Sequence, residues 1–173
     1  MPTLAEKIAA ASAKKDSGNE HFKKGDIREA LRSYHEALLC VHGADKSSII
    51  PTGVATDSKG KGEVAKLLSQ IYNNIAACHI KNENWQRAFE SSQKAVENDS
   101  RNIKARFRRA QSALSLGKVE IAREDLEEVI KNSPDDPGVK REQKRLQAIM
   151  KSDEKKQRRQ FANLFERMAD EGN

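Results

Sequence analysis

This sequence predicts an all-α array of three helical hairpins closed by one long C-terminal helix, and three observations predict it. Corresponding places recur at a spacing of 34: Asn74 with Arg108, Ala88 with Ala122, Ala95 with Val129, and Ser100 with Pro134, while Trp85 answers Val119. Within each unit the apolar residues follow helical spacing, as Leu67, Leu68, Ile71, Ile75 and Cys78 do on one broad face. Small residues stand where two helices would touch, and a breaker follows each pair.

The elements follow in order. Residues 3 to 23 read as a helix ending at Lys24-Gly25, and Asp26 then serves as N-cap for a second helix reaching about Val41. Ala30 and Ala37 lie 58 residues before Ala88 and Ala95, which is 24 more than one period. The excess falls in 43–61, where Gly43, Pro51, Gly53 and Gly60 stand among Ser, Thr and Asp, so a long insertion loop is expected there. Glu63 to Lys81 returns to helical spacing, and Asn84-Trp85 opens its partner, which ends near Glu97. Arg101 to Leu116 and Lys118 to Lys131 form the third hairpin, stopped by Asn132-Ser133-Pro134. The expected organisation is therefore three repeats within 1–134 (about 11–44, 69–102 and 103–134), then a capping and C-terminal extension over 135–173.

That extension divides in two. Val139, Leu146, Ile149 and Met150 are placed to cover the last apolar face of the array, as a stacked array requires. Further on, the basic block Lys155-Lys156-Gln157-Arg158-Arg159 precedes Phe161, Leu164, Phe165 and Met168, spaced i, i+3, i+4, i+7. Three readings of 155–171 stay open: a packed capping helix, a calmodulin-type target, or a membrane-surface helix.

Composition narrows the function classes. Charged residues make up 34% and aromatics 5%, as suits helices packed through small and aliphatic side chains. No apolar run is long enough to span a bilayer, and the first residues lack signal-peptide order, so the expected location is the cytoplasm, or the nucleus by diffusion. Cys40 and Cys78 match no metal-ligand spacing and read as packed thiols. His21, His35, His42 and His79 show no ligand spacing either, and no phosphate loop or nucleophile elbow occurs. No catalytic residue, metal or cofactor is expected. The net charge of +6 favours an acidic partner. The basic clusters lack the aromatic interleaving of a nucleic-acid module, so nucleic acid is not the expected partner; for the array itself no membrane partner is expected either.

Numbering the repeats from Ala11, Ser69 and Ile103 puts Lys15 at place five, Asn19 at place nine, Asn74 at place six, and Lys104 and Arg108 at places two and six. Those places form one helical stripe, because they differ by three, four and seven. Stacked inner helices then turn three cations and two amides towards a single groove. A peptide ending in Asp suits such a site, because two carboxylates on one residue can be gripped together. Phe22 and Ala77, one turn past Asn19 and Asn74, are the expected apolar wall for a preceding Val or Ile.

Lys15-Asp16-Ser17-Gly18-Asn19, Ile71-Tyr72-Asn73-Asn74 and Lys104-Ala105-Arg106-Phe107-Arg108-Arg109 resemble the carboxylate-clamp motifs of tetratricopeptide co-chaperones. The long connection after the first repeat and the ending Phe161-Ala162-Asn163-Leu164-Phe165-Glu166-Arg167-Met168 are similar to the tetratricopeptide half of the large FK506-binding immunophilins. They are similar also to the small single-domain tetratricopeptide repeat protein 9 family. The resemblance implies a right-handed superhelical array that binds the Glu-Glu-Val-Asp tails of heat-shock protein 90 and heat-shock protein 70. It implies no isomerase activity, since the resembling part carries no prolyl-isomerase domain.

Overall fold

The computed structural model describes residues 3–42 and 58–171, with side chains described over 3–41 and 62–168. Seven helices account for nearly all of them, and no strand occurs among the described residues. They are α1 (Leu4–Lys24), α2 (Ile27–His42), α3 (Ser58–Lys81), α4 (Trp85–Asn98), α5 (Ile103–Ser115), α6 (Val119–Asn132) and α7 (Pro137–Glu171). The pairs α1/α2, α3/α4 and α5/α6 pack as successive hairpins, and α3 also meets α1 and α5.

Local chemistry sets the helix ends. Thr3 caps α1 in a capping box with Glu6, and Asn84 and Asn102 accept backbone N–H groups at the starts of α4 and α5. Gly25 ends α1 at φ 86°, where its N–H reaches His21 and Phe22 carbonyls, and Gly117 turns the third hairpin at φ 72°. Both angles lie where a Cβ is penalised, so these two turns call for glycine.

Most of the expected insertion, 43–61, lies outside the described residues. Its last part does not: α3 already begins at Ser58, ahead of the expected start at Glu63. Glycine inside a helix costs about 1 kcal/mol relative to alanine, so Gly60 and Gly62 weaken this turn without forbidding it.

Close helix approach explains the small residues of the repeat. Ala11, Ala30, Ala37, Ala88, Ala95, Ala105, Ala110, Ala113 and Ala122 are all fully buried. At Gly18 the approach is tighter still, since a Cβ there would stand 2.5 Å from Cε1 of the buried Tyr34. One core cluster joins Ala11, Tyr34, Leu67, Ile71, Ile75 and Cys78 across α1, α2 and α3. A second joins Phe89, Leu114, Leu126 and Leu146, so it runs from α4 to α7. Each buried Leu or Ile side chain contributes roughly 1.5–3 kcal/mol.

The first part of α7 covers the array through Val139, Leu146 and the half-buried Ile149. Met150 does not join them and is exposed, because the helix leaves the array at this point. From there on almost every described side chain faces solvent, including Phe161, Leu164, Phe165 and Met168 at 51–66% exposure. No helix among the described residues is long and apolar enough to cross a membrane.

Candidate functional site

The inner helices α1, α3 and α5 line a groove of about 540 Å³. Lys15 and Asn19 reach it from α1, Asn74 from α3, and Lys104 from the first turn of α5. Side-chain hydrogen bonds hold this arrangement in register. Asn102 caps α5 and donates to Ser69 Oγ at 2.9 Å, and that hydroxyl donates to the Ala95 carbonyl at 2.8 Å. The start of α5, and Lys104 with it, is thereby pinned to α3 and α4.

Asn19 is the polar junction of the groove. Its Oδ1 accepts from the Tyr34 hydroxyl and from Asn74 Nδ2, each at 2.9 Å. Burial pushes the Tyr34 phenol up to about 12, so it remains a donor. Lys15 Nζ donates to Gln70 Oε1 at 3.1 Å and lies 3.8 Å from Asp16 Oδ1, a contact that falls short of a close ion pair.

Arg108 sits apart from the other four. It does not line the groove surface; it is half-buried beside Tyr34 and Cys78, and its Nη1 is buried with no hydrogen-bond partner among the described residues. Burial pushes its pKa below the usual guanidinium range, opposed by Tyr34 and Cys78. Neither Lys104 nor Arg108 forms an ion pair among the described residues. Their neighbours on the same helix behave differently. Arg109 grips the fully buried Asp125 with Nε and Nη2 at 2.6 and 2.7 Å, and Arg106 Nη1 adds a bond of 3.1 Å. So α5 turns two arginines towards α6, where they share one carboxylate, and keeps Lys104 and Arg108 without one among the described residues.

Phe22 and Ala77 do not line the groove. Phe22 packs half-buried against the first core cluster, with Lys81 Nζ 5.5 Å from its ring centre. The groove instead takes in Lys66, Gln70, Asn73, Asp99 and Arg101, which the motif reading passed over. The signal for two of them was present: Gln70 and Asn73 occupy places two and five of the second repeat, on the same stripe as Lys104 and Lys15. Asp99 accepts the Arg101 backbone N–H at 3.1 Å and pairs with none of the groove's cations among the described residues.

Other candidates fall into structural places. His79 and Cys78 are buried, Cys40 is half-buried, and both thiols are free. No cluster of His, Cys, Asp and Glu among the described residues could hold a metal ion.

A family model described as tetratricopeptide repeat matches residues 104–136. The human peptidyl-prolyl cis-trans isomerase FKBP4 is 29% identical over 97% of this chain and 35% of its own length. The chain thus spans about a third of the curated relatives it matches. The C-terminal TPR-containing domain of a Plasmodium falciparum putative FK506-binding protein is 26% identical, with a TM-score of 0.76 over 89% of this chain and 97% of that one. Two domains of RPAP3 share the fold. The first, from Spaghetti (RPAP3) and bound to an HSP90 peptide SRMEEVD, gives a TM-score of 0.61 at 21% identity over 83% of this chain and 93% of that one. The second, from the human protein in complex with an HSP70 peptide SGPTIEEVD, gives 0.59 at 20% over 84% and 98%. The chain therefore has a tetratricopeptide-like all-α fold, carries a matched tetratricopeptide repeat at 104–136, and is similar, over nearly its whole length, to the repeat-bearing part of FK506-binding proteins.

Proposed function

We propose that this chain is a non-enzymatic docking module for chaperones, holding the C-terminal Glu-Glu-Val-Asp tail of heat-shock protein 90 or heat-shock protein 70 in a carboxylate clamp. Lys15, Asn19, Asn74 and Lys104 take the carboxylates of the terminal Asp at the groove surface, and Arg108 supplies charge from beneath. One observation carries the reading: among the described residues Lys104 and Arg108 have no carboxylate partner, although Arg106 and Arg109 beside them share Asp125. Arg108 is the desolvated one of the two, and a desolvated, uncompensated cation costs free energy unless a ligand answers it. The RPAP3 domains of like fold, solved with peptides ending in Glu-Glu-Val-Asp, support it. The same reading places the chain in the cytoplasm and assigns it no isomerase chemistry.

Anisotropy titration of a labelled Met-Glu-Glu-Val-Asp peptide tests the proposal. A charge-assisted hydrogen bond contributes about 1.5–3 kcal/mol, so Lys104→Ala should weaken binding roughly ten- to hundredfold. Raising the salt should weaken it too. Binding that survives amidation of the peptide's C-terminus unchanged would exclude a carboxylate clamp.

The exposed stripe Phe161, Leu164, Phe165 and Met168 favours a second reading, in which the end of α7 recruits calmodulin or a client. That reading requires a calcium-dependent shift with calmodulin that vanishes on truncation before Lys155. No shift with the full chain would remove calmodulin as the partner.

A further inference from the structure

The far end of α7 carries surface chemistry that the groove does not explain. Phe161, Leu164, Phe165 and Met168 are 51–66% exposed, on the part of the helix that has left the array. They form a stripe about 100° wide and two turns long, with two aromatic rings among four large apolar side chains. Phe161 lies eleven residues past Met150, roughly 16 Å along the axis, which sets the stripe clear of the repeats.

Charge and shape decide the class of occupant. Between Lys155 and Met168 five basic side chains stand against the one carboxylate of Glu166: Lys155, Lys156, Arg158, Arg159 and Arg167. All five are exposed, and among the described residues only Lys156 and Arg158 meet a carboxylate, each at 3.7 Å about one turn back on the same helix. A second copy of this chain would set the same positive excess against itself, so the charge calls for an anionic occupant. On the stripe's own side the two preceding turns carry Gln157 and Glu154, so the apolar face stops short of Met150. A short, one-sided stripe suits a flat boundary better than a groove that encloses a helix. We propose that the end of α7 is a membrane-surface helix: Phe161, Leu164, Phe165 and Met168 sink into the headgroup boundary of an anionic bilayer, and the five basic side chains face its charged headgroups. The axis lies along the surface, because no described helix is long and apolar enough to cross it. Neither part suffices alone. Four apolar side chains give marginal, reversible attachment, and the basic block supplies the second signal that makes it stable. Such attachment leaves the groove free, and it gives the stripe a bilayer in place of calmodulin.

Co-sedimentation of the full chain with vesicles tests this. Vesicles of phosphatidylcholine mixed with phosphatidylserine should bind at least tenfold more tightly than phosphatidylcholine alone, since each basic side chain at an anionic surface is worth about fivefold. Raising the salt should release the chain. Phe161→Ser with Phe165→Ser, and separately Lys155→Gln with Lys156→Gln, should each lower binding to the anionic vesicles about tenfold or more. Both double variants should keep the thermal midpoint within about 2 °C, because all four side chains are exposed. Equal binding to the two kinds of vesicle, binding to neither, or binding that the phenylalanine variant keeps in full would overturn the assignment. A calcium-dependent complex with calmodulin without vesicle binding would overturn it too, and give the stripe to an enclosing protein. A dimer in sedimentation velocity that the phenylalanine variant abolishes would give it instead to a second copy.

Discussion

Arg108→Met should make the protein more stable and unable to hold a terminal carboxylate. The guanidinium is half-buried, and among the described residues its Nη1 meets no acceptor and no carboxylate pairs with it. An unsatisfied buried donor costs about 1–3 kcal/mol, and methionine keeps much of the apolar stem while removing the donors. For a chain of this length, 1 kcal/mol moves the thermal midpoint by about 2–4 °C, so a rise of roughly 2–12 °C is expected. Scanning fluorimetry or calorimetry reads this directly. The same scan with peptide at a hundred times its Kd should add about 2.7 kcal/mol to the unmodified protein and little to the variant. A midpoint that falls in Arg108→Met would show that the guanidinium is satisfied in the folded chain, and the argument for a waiting cation would fail with it.

Asp125→Ala strands two arginines that now share a fully buried carboxylate, and removing one partner of a buried pair costs about 3–5 kcal/mol, which a urea titration should show as a lower midpoint. Gly18→Ala drives a Cβ into the Tyr34 ring; overpacking of about 1–3 kcal/mol is expected, and a loosened Tyr34 to Asn19 bond should weaken peptide binding in the anisotropy assay. Burial holds the His79 pKa below its ordinary 6.5, helped by Arg87 and His35 and opposed by Glu90. The unfolded chain therefore takes up that proton first as the pH falls, so stability declines below about pH 6.5 and His79→Gln should flatten the decline between pH 7.5 and 5.5.

Periodicity made the hairpins legible. Alanines that let helices touch recur at the repeat length, and each recurring position among Ala88, Ala95 and Ala122 is fully buried. Local end signals were also readable: α4 opens at Asn84-Trp85 as expected, with Asn84 as its cap. The start of α3 was not, since glycine and serine in 58–62 read as loop when taken residue by residue, while the helix continues through them. Helical spacing alone placed Met150 on the covered face, but it carries no information about where α7 parts from the array. At the groove, the stripe rule found Lys15, Asn19, Asn74 and Lys104, and stopped short because only cations and chosen amides were counted. Gln70 and Asn73 satisfy the same rule. Spacing says nothing about burial, so it did not foretell that Arg108 would be half-buried beside Tyr34 and Cys78.

The bonds from Lys15 to Gln70 and from Asn74 to Asn19 both cross from the first hairpin to the second, and all four residues line the groove. The surface offered to a ligand is thus also a seam between two modules. Substitutions there report twice, once as affinity and once as amide exchange in α1 and α2. A bound tail spanning α1, α3 and α5 would slow that exchange by stitching the seam closed.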